Sequence, residues 1–201
     1  MRNFNENGRS MVEMLGVLAI IGVLSAGGLA GYSKAMFKHK LNTTMEQITM
    51  LVTNIRTMYG TQRNYKDLSL SQARSLGILP ASIGTGNKNP FKGSIDITTV
   101  NARADAAAKL AKAETTTPTG FAVTYGGLPA EACIALATAD FGSGAGSGFI
   151  SVGINGLAEG LAVPKGFIGT NEGEAYDMST AITQCNLEAT KENNTITWYF
   201  Y

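Results

Sequence analysis

The sequence has 201 residues, a formal net charge of +1, 24 glycines and a charged fraction of 15%. A chain this close to neutrality lacks the strong positive field that is typical of a nucleic-acid-binding protein, so its charge predicts no nucleic-acid partner. Its length allows a membrane anchor and one globular domain. Globular domains have about 25% charged residues, so the charge-poor surface suits a protein that buries much of itself against copies of itself.

A long uncharged stretch lies near the start of the chain. No charged side chain occurs from Met14 to Ser33, and about 20 mostly apolar residues suffice for a helix to cross a bilayer. Glu13 lies at the edge of this stretch, where a carboxylate is costly and by default indicates a functional role with a cationic partner. The same helix offers no obvious cation, so we expect the partner to come from another copy. The alternative is a carboxylate favoured only by the helix dipole, which is worth about 0.3–1 kcal/mol.

The residues before this stretch form a short polar leader, MRNFNENG, which ends at Gly8. A secretory signal has its cleavage site after the apolar core, whereas a cut here precedes the core and retains the apolar helix. This arrangement resembles the class III leader of type IV prepilins. The resemblance implies that a prepilin peptidase cuts between Gly8 and Arg9 and that the new amino terminus at Arg9 is methylated. It also implies that Glu13 neutralises the amino terminus of a neighbouring subunit during assembly.

The uncharged stretch contains a glycine cluster, Gly27, Gly28 and Gly31, and no proline. Glycine costs about 1 kcal/mol per interior helix position relative to alanine. The cluster therefore permits a bend or local melting of the helix. Packing of small residues against neighbouring helices explains it equally well.

An amphipathic helix is predicted beyond Lys40. Apolar residues recur there at alternating spacings of four and three, which places them on one face of a helix. We predict a single helix from about Ser10 to Met58, ended by Gly60, whose second half lies along a head domain. The apolar stripe of this second half consists of Leu41, Met45, Ile48, Val52, Ile55 and Tyr59.

Short helices and strands alternate in the rest of the chain. Ser69 to Gln72 has the pattern of a capping box and predicts a short helix that Gly77 ends. Asn89-Pro90 marks a turn. β-branched and aromatic alternation predicts strands at 94–100, 121–125, 149–154 and 195–201. Helices are predicted at 129–139, with Pro129 near the first helical position, and at 175–185. The alanine-rich segment 102–113 fits a helix or an exposed loop.

The last predicted strand, TITWYFY, has Trp198 and Phe200 on one face and Tyr199 and Tyr201 on the other. A free aromatic edge would be an aggregation hazard, so we expect this strand to lie inside the sheet with both faces buried. The predicted fold class is therefore α+β, with an antiparallel sheet laid on the amphipathic half of the long helix.

Cys133 and Cys185 lie in the part of the chain that we expect outside the cytoplasm. A disulfide between them would close a loop of roughly 50 residues and contribute about 4 kcal/mol in the chain-entropy model; the alternative is two independent buried thiols. His39 is the sole histidine and no CxxC motif occurs, so we predict no metal site. A Ser-His-Asp arrangement would need a histidine in the head, and we predict neither catalysis nor a cofactor.

The order of elements is similar to that of the type IVb pilins, of the bundle-forming and toxin-coregulated kinds. The similar pieces are TMYGTQRNYKDLSL after the long helix, the KNPFKG turn, ACIALATADFG around the first cysteine, and the cysteine-bounded segment with its short following strand. The resemblance implies a pilin fold with a disulfide-bounded C-terminal region. It divides the chain into a cleaved leader (1–8), a transmembrane and assembly helix (9–33), its amphipathic continuation (34–59) and a globular head (60–201).

The resemblance also implies a major pilin that polymerises into a bacterial surface filament. Its partners would be other pilin subunits, prepilin peptidase, the inner-membrane assembly platform and, before assembly, membrane lipid. Its location would be the inner membrane as a precursor and then the extracellular pilus. The alternatives are a minor pilin or pseudopilin of a pilus or type II secretion system, and a membrane-anchored periplasmic binding or enzymatic domain, which would tolerate Glu13→Ala.

Overall fold

The computed structural model describes residues 11–62, 64–101, 111–112, 118–141, 148–155, 175–186 and 192–201. The chain divides into two compact units, Met1–Lys40 and Leu41–Tyr201. Helix α1 (Met11–Tyr59) contributes residues to both units. Its predicted start at Ser10 lies outside the described residues, and it ends one residue after the predicted Met58.

The second unit combines short helices with an antiparallel sheet, which confirms the predicted α+β class. Most of the alanine-rich segment 102–113 lies outside the described residues, but two of its residues pair with the first strand. The helices are α2 (Leu70–Ser75), α3 (Ala130–Ala137) and α4 (Met178–Cys185), with a 3-10 turn at Ala81–Ile83. The strands are β1 (Ile95–Asn101), β2 (Ala111–Lys112), β3 (Gly120–Leu128), β4 (Phe149–Ile154) and β5 (Asn194–Phe200). They form one sheet with the order β2-β1-β3-β5-β4.

Side-chain caps fix where two of the short helices begin. The Ser69 hydroxyl accepts a hydrogen bond from the Gln72 amide at 3.2 Å, as the capping-box pattern predicts. Asp177 caps α4 in the same way, because its Oδ1 accepts from the Thr180 amide at 3.0 Å. The prediction that this helix starts at Ala175 is therefore wrong by three residues. Side-chain capping satisfies amides that the first helical turn leaves unpaired.

Strand β5 lies inside the sheet, as predicted. Phe200 is paired with Phe121 of β3 on one side and with Phe149 of β4 on the other. Trp198, Tyr199 and Phe200 are all buried. Trp198 and Phe200 belong to the main core, whereas Tyr199 belongs to a smaller cluster. Both faces of the strand are thus covered.

The main core joins one face of the sheet to the second half of α1. Leu51, which the predicted stripe omitted, is fully buried. The buried arc of α1 is therefore wider than a single row of alternating four and three spacings, as is usual for a helix that faces a globular core. Within the stripe, Ile48, Val52, Ile55 and Tyr59 are buried, while Leu41 and Met45 are partly buried against the core.

Gln47 is a buried polar residue of α1. The Tyr125 hydroxyl donates to Gln47 Oε1 at 3.4 Å, and Gln47 Nε2 donates to Ser82 Oγ at 3.1 Å. Burial raises the pKa of Tyr125 well above its ordinary value, so its hydroxyl keeps the proton that it donates. Buried polar groups require such partners. These bonds therefore tie α1 to β3 and to the 3-10 turn.

A tight turn before β1 brings two backbone segments together. Asn89 Oδ1 accepts from the amides of Phe91 at 2.9 Å and Gly93 at 3.0 Å, and Asn89 Nδ2 donates to the Gly126 carbonyl at 2.7 Å. A Cβ at Gly93 would overlap the Gly126 carbonyl oxygen, so only glycine fits there. The turn predicted at Asn89-Pro90 is held in place by these contacts.

Candidate assembly site

The first part of α1 presents its apolar side chains outward. Leu15, Ile20, Leu24 and Leu29 are each more than 60% exposed. Among the described residues, α1 is the one helix whose length and composition would allow it to cross a membrane. Contiguous exposed apolar surface of this kind marks a contact with lipid or with another protein.

Glu13 lies in the first turn of α1 and is exposed. A carboxylate in this position is favoured by the helix dipole, by about 0.3–1 kcal/mol. Gly8 and Arg9 lie outside the described residues, so the cleavage site and the methylated amino terminus stay predictions. The pairing of Glu13 with a neighbouring subunit also stays a prediction.

Helix α1 is unbroken across Gly27, Gly28 and Gly31. A Cβ at any of these three positions would meet no atom within 4 Å. Packing within the described chain therefore does not require small residues here. The reason for the glycines lies either in helix flexibility or in the approach of another molecule.

The exposed side of the second half of α1 carries a row of threonines that the sequence reasoning missed. The hydroxyls of Thr49, Thr53 and Thr57 each donate to the carbonyl four residues earlier, at 2.8–2.9 Å. Met50 and Met58, which are also exposed, lie in the same stretch of α1 as the threonines. Since each threonine hydroxyl is engaged by its own helix, the row offers mainly methyl groups for contact with another helix. The spacing of four residues was the signal available in the sequence.

Arg56 links α1 to the end of β5. Its Nε donates to the Tyr201 carbonyl oxygen at 3.3 Å, and its guanidinium carbon lies 5.4 Å from the centroid of the Phe200 ring. Burial lowers the pKa of Arg56, but a guanidinium remains charged at neutral pH. Gly148 has a positive φ of 66°, and a Cβ there would overlap the Arg56 guanidinium. Glycine at this position therefore leaves room for the arginine.

Cys133 and Cys185 form a disulfide with their Cα atoms 5.8 Å apart. Both residues are fully buried. The bond joins α3 to α4 across a sequence separation of 52 residues. The structure therefore has a disulfide at the predicted pair rather than two independent thiols.

The described part of the chain contains no group of three or more His, Cys, Asp and Glu residues that could hold a metal ion. His39 lies on the exposed side of α1. An exposed side chain lacks the burial that prepares a histidine for catalysis. The lack of enzymatic activity stays a prediction.

A protein-family model described as Bundlin matches residues 34–201. The chain belongs to the bundlin family. This membership confirms the predicted similarity to the type IVb pilins. The match begins at Lys34 and so does not extend to Gly8, Arg9 or Glu13.

Two curated relatives of this bundlin-family chain are described as the major structural subunit of bundle-forming pilus. They come from Escherichia coli O111:H- and from Escherichia coli O127:H6 (strain E2348/69 / EPEC). Each is 25% identical over 202 aligned residues, which cover 96% of this chain and 94% of the relative. The crystal structure of TcpA, a type IV pilin from Vibrio cholerae El Tor biotype, has a TM-score of 0.47 and 17% identity, covering 81% of this chain and 99% of TcpA.

Proposed function

We propose that this chain is a major pilin, a structural subunit that polymerises with copies of itself into a bacterial surface filament. The observation that carries the proposal is the exposed, uncharged helical segment 14–33 on a chain of the bundlin family. Two curated relatives with this role match it over nearly their whole length. Lipid would cover the segment in the precursor, and other subunits would cover it in the filament.

The helix surfaces support contacts of a head-to-tail kind. The apolar segment 14–33 and the row formed by Thr49, Thr53 and Thr57 are different surfaces of one helix. When identical subunits contact each other through two unlike surfaces, each added copy leaves one surface free for the next. Such contacts give an open helical filament unless the rotation between subunits closes them into a ring. Subunit addition would therefore continue from each new copy.

Processing by a prepilin peptidase would precede assembly. The cut would fall between Gly8 and Arg9, would leave the apolar helix in the mature chain, and would be followed by methylation at Arg9. The disulfide between Cys133 and Cys185 supports a head outside the cytoplasm, because such bonds persist in oxidising compartments. An inner-membrane assembly platform would then transfer the subunit from the membrane to the filament.

Glu13 would pair with the amino terminus of a neighbouring copy, which belongs to Arg9 after cleavage. Removing one partner of a buried ion pair costs about 3–5 kcal/mol, since the other charge is left uncompensated. The helix dipole supplies only about 0.3–1 kcal/mol. A subunit added at the wrong axial position would leave the carboxylate unpaired, so this pairing would select the correct position.

A charge-removing substitution tests the role of Glu13. Glu13→Gln keeps the size of the side chain, and we expect a folded, membrane-inserted protein whose yield in sheared filaments falls at least about a hundredfold. Glu46→Gln is the matched control, because Glu46 is an exposed carboxylate on the same helix. Filaments at wild-type yield from Glu13→Gln would rule out this assembly mechanism.

The intact mass and N-terminal sequence test the processing step and the class of subunit. They would be measured on protein from the membrane and from sheared surface material. A methylated start at Arg9 and abundance in the sheared fraction would support a major pilin. Trace amounts in sheared filaments would favour a minor pilin or a pseudopilin, and retention of Met1–Gly8 in all fractions would favour an anchored periplasmic domain.

A further inference from the structure

Two lysines directly follow the uncharged stretch of α1. Lys34 and Lys38 are both exposed and lie one helical turn apart. Side chains at i and i+4 are neighbours on a helix surface, and like charges in these positions repel each other. The helix therefore carries an unfavourable charge pair at the end of its apolar segment.

No carboxylate on α1 lies close enough to offset this pair. The sequence has no Asp or Glu between Glu13 and Glu46. The positions three and four residues from Lys34 and Lys38 are accordingly free of acidic side chains, although these are the positions where an ion pair on a helix forms. An anion that offsets both charges has to come from outside this helix.

The residues next to the two lysines are of the kinds found where a spanning helix leaves a membrane. The uncharged segment ends directly before Lys34, and Tyr32, two residues earlier, is 64% exposed. Tyrosine rings are enriched at headgroup level in membrane proteins. Lysine side chains near the end of a spanning helix extend their methylenes along the apolar region and carry the ammonium out to the interface. Lys40, two residues after Lys38, adds a further positive charge to this segment.

We propose that Lys34 and Lys38, here called the basic collar, bind the phosphate groups of anionic phospholipids in the leaflet that surrounds the end of the apolar segment. The proposal rests on the membrane-anchored precursor of the proposed function, and it names the class of lipid, a phosphatidylglycerol-type headgroup. The bound phosphates relieve the repulsion between the two ammonium groups and hold the helix at one depth. They are released when the subunit leaves the membrane for the filament.

The test uses the full chain in nanodiscs that contain phosphatidylglycerol and phosphatidylcholine in equal amounts. Native mass spectrometry of the chain released from the discs measures the ratio of the two lipids that stay bound. We expect the wild type to enrich phosphatidylglycerol. The enrichment should fall by about fivefold for each lysine removed in Lys34→Gln/Lys38→Gln, and it should also fall as salt is raised.

Two control variants separate the collar from other basic residues. Lys34→Arg/Lys38→Arg keeps both charges and should keep the enrichment. Lys66→Gln/Lys88→Gln removes two exposed lysines of the second unit and should leave it unchanged. Equal amounts of both lipids on the wild type, or an unchanged enrichment in the Lys34→Gln/Lys38→Gln variant, would overturn the proposal.

Poor insertion of the glutamine variant would not leave the question open, because the salt titration of the wild type and the arginine variant test the same contact. The measurement concerns single inserted chains and does not depend on filament formation. A wild type that enriches phosphatidylglycerol but never enters filaments would refute the proposed function and leave the collar intact. A chain that forms filaments but whose precursor shows no lipid preference would refute the collar proposal and leave the proposed function intact.

Discussion

Removal of the disulfide should lower the stability of the head by a predictable amount. The bond joins residues separated by 52 positions, and the loss of entropy that a loop of this length imposes on the unfolded chain corresponds to about 4 kcal/mol at 25 °C. Cys133→Ala/Cys185→Ala is the suitable variant, because serine would place hydroxyl groups in a site that is fully buried. With a urea dependence of about 2 kcal/mol per M, the unfolding midpoint should fall by about 2 M.

Trp198 provides the signal for this measurement, since it is the sole tryptophan and is fully buried in the main core. Urea unfolding of the full chain in detergent would be followed by its fluorescence. Reduction of the wild type with a thiol is the control, because it breaks the bond without removing the sulfur atoms. A midpoint shift below about 0.5 M in both cases, with an unchanged urea dependence, would refute the loop-entropy reasoning.

Two further predictions concern the core. Leu51→Ala should lower the free energy of unfolding by about 2–5 kcal/mol because Leu51 is fully buried. Met50 is exposed, so Met50→Ala should stay within about 0.5 kcal/mol of the wild type in the same urea assay. Equal effects of the two substitutions would contradict the finding that Leu51 lies on the buried face of α1. Burial raises the pKa of Tyr125 and of Tyr199, so above about pH 10 the unfolded chain loses these protons first. Stability should then fall by up to about 1.4 kcal/mol per pH unit for each tyrosine. The slope should be reduced in Tyr125→Phe/Tyr199→Phe, and an equally steep slope in that variant would disprove the assignment.

The parts of the fold that depend on neighbouring residues could be predicted from the sequence. The spacing of Ile48, Val52 and Ile55 indicates one face of α1, since helical geometry alone places residues at these intervals together. The predicted row of apolar residues does not include Leu51, because residues spaced alternately by four and three mark only the centre of the buried face of α1 and not how wide that face is. The burial of Gln47 could not be predicted, because no neighbouring residue in the sequence indicates its partners on β3 and in the 3-10 turn.

The candidate assembly site likewise has features that could be predicted from neighbouring residues and others that depend on residues far apart in the chain. The spacing of Gly8 and Glu13 and the uncharged run after them are local features of the sequence, and their resemblance to the leader of type IV prepilins predicts an assembly helix. The contact of Arg56 with Phe200 joins positions far apart in the chain. The room that Gly148 leaves for the guanidinium depends on the same tertiary arrangement. No pattern within a short window of sequence carries such contacts.

The central position of β5 has a consequence for the order in which the head folds. Strands β3 and β4 each pair with β5, so each has an open edge until residues 194–200 have been synthesised. At about 5–20 residues per second, these edges stay unpaired for several seconds after β3 has been made, and open edges promote aggregation. Closure of the sheet is therefore a late event, reached by a long-range pairing that is slow to form.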